Sequence, residues 1–240
     1  MTTNTAAASP TARGHRDRGP VADAADRCIK RLQYGYRQDH PSAVSTLARL
    51  RRGAGRPAHD VQDLWGLTAT DELSGALALL PEDEQRRFDH DRAEEALHLA
   101  VTLWALHQQS HREADMYLPG RGLGRAVRIL MIPLSGGAES AIQAGRGDEG
   151  SGARAEPVLD EPLRRRFVRV GTSSSFEDLA QRLREIVLLL RRSSIGLDYA
   201  LLADQLYRWQ QPDQRAEVRR GWGRDFHLAG IARGANAPQG

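Results

Sequence analysis

The chain has 240 residues, 40% of them hydrophobic, enough to bury one sizeable core or two small ones without a disulfide or metal staple. Its single cysteine, Cys28, excludes an internal disulfide, and no stretch approaches the run of about 18 apolar residues that a membrane span needs. The formal net charge of +3 hides an asymmetry: residues 61–119 hold four Arg against twelve Asp and Glu, a local −8, so the rest of the chain carries +11. Among the 34 basic residues Lys30 is the one lysine. Arginine forms forked phosphate contacts and stacks on bases better than lysine does. A GC-rich genome would give the same Arg-for-Lys swap but not the clustering along the chain.

Residues 1–20 are small, polar and broken by Gly and Pro, a composition that cannot bury enough apolar surface to order itself, and they predict a disordered tail. They also lack the apolar run of a secretory signal, so a cytoplasmic protein is expected. From there the apolar residues recur at helical spacing, and no run shows the strict alternation of a half-buried strand. Helices are predicted over 21–38 and 43–52. A helix apolar on both faces follows, with Ala93, Ala96, Leu97, Ala100, Val101 and Trp104 on one side and Leu99, Leu103 and Leu106 on the other, which places it centrally. Further helices fit 123–132 and 162–170. Between Phe176 and Leu190 the stripe Phe176, Leu179, Leu183, Ile186, Val187 and Leu190 follows Ser175 as cap, with Glu177 and Asp178 in the first turn. The last two helices are predicted over 198–210 and 213–226. Residues 136–155, Gly-rich and without a periodic apolar pattern, predict a long mobile loop, and 228–240 a flexible tail. The fold class is therefore all-α: a compact helical domain over 21–227 between disordered ends.

The basic residues fall into groups. In the helix near 162–170, Leu163, Phe167 and Val170 take the apolar stripe and leave Arg165, Arg166 and Arg169 together. Arg165 has Glu161 four residues earlier, whereas Arg166 and Arg169 have no acidic residue at i−3 or i−4, so an external anion or plain water must face them. Arg49, Arg51, Arg52 and Arg56 surround a helix end marked by Gly53, Gly55 and Pro57. Cations at a helix C-terminus are favourable on their own account, and this applies equally to Arg191 and Arg192. Arg220 and Arg224 share a face of the last helix, with Glu217 near enough to neutralise part of it. The stretch Gly120 to Gly124 enters a helix carrying Arg125 and Arg128, and a Gly-rich helix entry can cradle a phosphate; it lacks both the Lys-Ser/Thr pair and the preceding strand of a nucleotide-hydrolysing loop.

Signs of catalysis are few. His107 and His111 have i, i+4 spacing and, with Asp115, would make a metal-dependent hydrolase the competing reading, but no Glu follows His107 as the zinc-protease pattern requires. No nucleophile elbow, Cys-His pair or flanked acidic pair is present. Neither metal nor cofactor is expected, and the protein is read as non-enzymatic. Trp65, Trp104, Trp209 and Trp222 have the faces to stack on bases, although Trp209 continues a stripe from Leu202 and Leu206 that reads as core.

The order of EEALHLAVTLWALHQQS, GLGRAVRIL, LRRRFVRV, LAQRLREIVLLLRRSSIGLDYALLADQLYRW and VRRGWGRDFH resembles the CasB family, the small subunit of the type I-E CRISPR Cascade, across most of residues 25–227. The most specific pieces are the ALHQQS helix end, the Leu123-Gly124-Arg125 turn, the Leu197-Asp198-Tyr199 helix start and the run Trp222-Gly223-Arg224-Asp225-Phe226. The resemblance implies an all-helical, non-catalytic subunit present as two copies beside other Cascade proteins. Such a subunit stabilises the R-loop in antiviral defence by contacting the displaced strand and supporting the guide RNA–target DNA duplex. The basic positions in matching segments are Arg51, Arg52, Arg125, Arg165, Arg166, Arg169, Arg220 and Arg224, and the resemblance makes these the expected nucleic-acid contacts, with no membrane partner. The loop 136–155 is long for the family pattern. A guide complex leaves sequence recognition to base pairing and asks its protein for backbone contacts, which agrees with unpaired arginines and no base readout. A purely structural spacer, with the arginines serving protein interfaces, is the alternative.

Overall fold

The computed structural model describes residues 19–131 and 160–234, with side chains described through Leu228. The tail expected over 1–20, up to residue 18, and the whole loop expected over 136–155 lie outside the described residues, as do 235–240. Among the described residues there are ten α-helices and no strand, with one isolated bridge between Tyr117 and Leu197.

The helix starts are chemically explicit. The helices α1 (Pro20–Arg37) and α2 (Pro41–Leu50) open on a proline, whose missing N–H costs nothing in a first turn. The long helix α5 (His90–Gln108) begins where Asp89 accepts a hydrogen bond from Arg92 N at 3.1 Å. Asp160 does the same for α7 (Glu161–Gly171) through Leu163 N at 3.1 Å, Ser175 for α8 (Phe176–Arg192) through Asp178 N at 3.1 Å, and Asp198 for α9 (Tyr199–Trp209) through Leu201 N at 2.9 Å. Each cap satisfies one of the N–H groups that a first turn leaves without a partner.

Two short helices, α3 (Thr70–Leu77) and α4 (Glu82–Arg87), and three single 3₁₀ turns at Arg51–Gly53, Ala58–Asp60 and Gln62–Leu64 were not anticipated. The two helices and the last of the turns lie in the acidic stretch 61–119, where each element is too short to display a period. The last helix, α10 (Arg215–Gly234), runs past the predicted end at 226 and through the first part of the tail expected from 228. Between Phe226 and Gly234 the sequence has no proline, and its one glycine, Gly230, weakens a helix without ending it.

As its two-faced apolar pattern requires, α5 is central, with Ala93, Leu97, Val101 and Trp104 and also Leu99, Leu103 and Leu106 buried. Packed against it are α1, α2 and α9 together with α8, while α6 (Leu123–Met131) and α10 pack on each other, and α7 lies on α6 and α8. Burying a side chain such as Leu103 contributes about 1.5–3 kcal/mol. Buried polar groups are tied across this core. Gln33 Oε1 accepts from Trp104 Nε1 at 3.3 Å and from Tyr117 N at 3.0 Å, and the Tyr117 hydroxyl donates to Asp26. The segment after α5 runs beside the one before α9, with Leu197 N donating to Met116 O at 2.9 Å and Leu118 N to Leu197 O at 3.1 Å.

Candidate nucleic-acid interface

The basic cluster on α7 keeps the arrangement its sequence predicts. Leu163 and Val170 are buried, Phe167 is half-buried against Phe226 with ring centroids 5.3 Å apart, and Arg165, Arg166 and Arg169 are exposed. Arg165 lies 3.9 Å from Glu161, which Arg164 also approaches at 3.5 Å. Among the described residues no carboxylate lies within ion-pair distance of Arg166 or Arg169. The carbonyl of Arg169 is occupied, accepting from Ser173 Oγ at 3.2 Å and from Arg182, whereas its guanidinium has no partner among the described residues.

Arg51 and Arg52 are exposed in the 3₁₀ turn that ends α2, again with no carboxylate partner among the described residues. Their neighbours hold the turn rigid. Gly53 sits so close to Leu64 and Thr102 that an added Cβ would fall 2.5 and 3.1 Å from them. Gly55, at φ +80°, accepts from Gln181 Nε2 at 2.6 Å and leaves no room for a Cβ beside the Arg184 stem. His98 reaches Arg56 O at 3.1 Å, and burial lowers its pKa, so it holds the turn as a neutral ring. Gln181 and Arg184 on α8 face this turn, while Arg182 and Leu189 on the same helix face α7. The two unpaired groups thus flank α8. Arg184 is a cation that sequence reading passed over, because its place beside Gly55 joins residues far apart in the chain.

The Gly-rich entry to α6 has a different role from the phosphate cradle it resembles. Arg125 N donates to Asp225 Oδ2 at 3.0 Å, so a carboxylate from α10 already occupies this helix start. An added Cβ on Gly124 would collide with the Trp222 carbonyl oxygen and lie 2.5 Å from Phe226 N, so the two helix backbones touch here. The Arg125 side chain itself is exposed. Arg220 and Arg224 both reach Glu217: Arg220 with Nη2 at 2.7 Å and Nε at 3.1 Å, and Arg224 with Nη2 at 2.7 Å. The two guanidiniums hold the Glu217 carboxyl below its usual pKa.

Many other arginines are structural. Arg37 pairs with Asp115 at 3.0 Å, Arg191 donates to Gln109 O at 3.2 Å, and Arg219 donates to Ser173 O at 2.7 Å. Arg215 lies over the Trp209 ring at 4.1 Å and Arg128 over Phe226 at 5.4 Å. The metal reading fails on the same grounds. Asp115 is engaged by Arg37, His111 Nε2 meets Arg191 O at 3.2 Å, and His107 is fully buried with Nδ1 2.7 Å from the Tyr199 hydroxyl. Burial, followed by the charges of His111 and Arg191, pushes the His107 pKa down to about 3. Among the described residues no group of three or more His, Cys, Asp or Glu is placed to hold a metal ion, and no helix is long and apolar enough to cross a membrane. Of the four tryptophans, Trp104, Trp209 and Trp222 are buried, whereas Trp65 is 69% exposed.

This is an all-helical architecture whose outer arginines divide into paired and unpaired sets, with its titratable core groups committed to structure. Residues 46–227 match the model of the family described as CRISPR-associated protein Cse2, and the chain belongs to that family. Among solved structures it is similar to CasB from Thermobifida fusca, with 43% identity over 88% of this chain and 99% of the other and a TM-score of 0.67. CasB from Thermus thermophilus shares the fold at 21% identity, covering 87% and 98% of the two chains, with a TM-score of 0.51. A chain of a structure titled CRISPR RNA-guided surveillance complex does so at 19% identity, covering 90% and 99%, with a TM-score of 0.53. No curated protein matches the chain.

Proposed function

We propose that this Cse2-family chain is the small subunit of a type I-E CRISPR surveillance complex. In that role it performs no chemistry and stabilises the R-loop through sequence-independent contacts to nucleic-acid backbone. Two copies lie beside the other Cascade subunits in the cytoplasm, hold the displaced strand and support the guide RNA–target DNA duplex in antiviral defence. The observation that carries this reading is the outer face of α7, where Arg166 and Arg169 stand exposed without carboxylate partners among the described residues, a surface suited to phosphate. Arg51, Arg52 and Arg125 extend it. Arg165, Arg220 and Arg224 belong to the same proposed set but share their charge with Glu161 or Glu217. R-loop formation is near balance, so a few arginine–phosphate contacts are enough to tip it. The acidic stretch 61–119 faces away from nucleic acid, toward basic partner subunits.

The many arginines engaged inside the chain favour one competing reading, a structural spacer that bridges neighbouring proteins. Reversing charge at Arg166→Glu and Arg169→Glu in the intact complex separates the two. Faster R-loop collapse with unchanged subunit composition supports strand holding, and an R-loop as stable as wild type leaves the spacer.

A further inference from the structure

The antiparallel approach of α7 and α8 makes a notch of about 200 Å³ that neither helix forms alone. Arg166 enters it from α7, and Arg192 and Ser193 from the end of α8. Leu130, Leu163 and Leu189 line it with apolar surface. Arg166 and Arg192 are both exposed, and among the described residues neither has a carboxylate within ion-pair distance. Among the described residues of the lining Asp160 is the one carboxylate, and its Oδ1 is engaged as the α7 cap, accepting from Leu163 N at 3.1 Å. Two guanidiniums held by separate helices in one concavity repel each other, and an anion between them removes that repulsion. Arg191, the preceding residue, is turned away to Gln109 O and Ser110 Oγ, so the two adjacent arginines at this helix end have different work.

We propose that this notch holds one backbone phosphodiester of a bound nucleic acid, gripped from two sides by Arg166 and Arg192 with the Ser193 hydroxyl as a further donor. The lining of Leu130, Leu163 and Leu189 lies against the C–H face of the adjoining sugar. The proposal rests on the reading that this subunit binds nucleic acid, and it adds Arg192 and Ser193 to that surface. Guanidiniums match phosphate oxygens in forked pairs, and two of them on one phosphate make a contact that fixes strand position without reading a base.

The test uses the full chain with two labelled probes, a 20-nucleotide oligothymidylate and a 20-base-pair duplex, each titrated over a range of salt. The variants are Arg166→Ala, Arg192→Ala and the double, with Arg166→Gln and Arg192→Gln retaining the aliphatic stems should an alanine variant fold poorly. One shared phosphate predicts that each single variant weakens binding. It also predicts that the double flattens the log–log salt slope by about 0.7 for the single strand, or about 0.9 for the duplex, since only one phosphate is lost. The probe showing this coupling tells which strand form enters the notch. A double variant that flattens the slope by about twice that amount places the arginines on separate phosphates and overturns the notch, as does wild-type affinity in Arg192→Ala. If Arg51→Ala weakens binding while none of these variants does, the notch falls and the broader reading stands. If the wild-type chain binds neither probe, both fall together.

Discussion

At the end of α5, Gln108 and the Nδ1 atom of His107 are bonded within the chain, whereas on the outer face of α7 Arg166 and Arg169 have no carboxylate partner among the described residues. Gln108 is buried, donates to His111 O and to Ala114 O at 2.9 Å, and accepts from Met116 N at 2.9 Å, which pins the connection leaving the helix. His107 joins that helix end to Tyr199, and Asp198 beside it caps α9 while accepting from Gly120 N at 2.6 Å. The segments that carry the family resemblance are therefore each other's partners: ALHQQS meets the Leu197-Asp198-Tyr199 start, and the Leu123-Gly124-Arg125 turn meets Asp225. They specify the packing. The α7 arginines touch little of the chain and leave their guanidiniums available. This difference separates what makes the fold from what the fold presents, and substitutions on the two sides should have opposite consequences.

The largest effect is expected at Gly124. A β-carbon there would strike backbone atoms of Trp222 and Phe226, which cannot rotate aside as a flexible side chain can, so α6 and α10 must separate. Gly124→Ala should lower stability in urea by about 3 kcal/mol, the upper end of ordinary overpacking. A loss below about 1 kcal/mol would mean that the two helices part easily and that the turn is not a packing device.

How far the sequence disclosed these two regions follows from the range of the interactions. The α7 surface was legible because it depends on a local period: Leu163, Phe167 and Val170 fix which way the arginines face, and Glu161 is close enough in sequence to identify Arg165 as paired. Glu217 was visible as a partner of Arg220 three residues on, but its bond to Arg224 spans seven residues and two turns. The role of the Gly-rich α6 entry was misread because its occupant, Asp225, lies 100 residues away. Arg192 was indistinguishable from an ordinary cation at a helix end, since the notch exists only once α7 and α8 pack antiparallel. The helices α3 and α4 escaped notice because they are too short to display a period.

A smaller effect is expected at the α5–α9 junction, and it depends on pH. Tyr199 is buried, which raises its pKa well above the ordinary value and keeps the hydroxyl protonated beside His107. Tyr199→Phe should cost about 1–3 kcal/mol, the usual range for leaving a buried polar group without its partner. The His107 pKa is depressed from 6.5 to about 3 in the fold. The unfolded chain therefore takes up a proton below about pH 6.5 that the folded chain refuses, and stability is fully present above that pH and declines as pH falls toward 3. His98, lowered by burial, contributes in the same direction. Urea midpoints at pH 7 and pH 5 should differ less in His107→Asn than in wild type. An unchanged difference would assign the acid sensitivity to other groups.

The smallest effect on folding, and the sharpest on the proposed role, is expected from comparing Arg169→Ala with Arg220→Ala. Arg169 has an exposed guanidinium without a carboxylate partner among the described residues, and its carbonyl bond to Ser173 survives the loss of the side chain. Its removal should leave the urea midpoint within about 0.5 kcal/mol of wild type, as for surface positions without a special contact. It should flatten the salt dependence of oligonucleotide binding by about 0.7 per lost single-strand phosphate contact. The loss should be the same for unrelated sequences, since a phosphate contact weakens binding uniformly whereas a base contact relaxes preference at one position. Arg220 already spends its charge on Glu217, so docking a phosphate on it means giving up hydrogen bonds at 2.7 and 3.1 Å. Its removal should change the slope less than that of Arg169, with Arg224 still holding Glu217 at 2.7 Å. Equal flattening by the two variants would show that pairing to Glu217 does not withdraw an arginine from nucleic acid, and the binding face would then extend from α7 across α10.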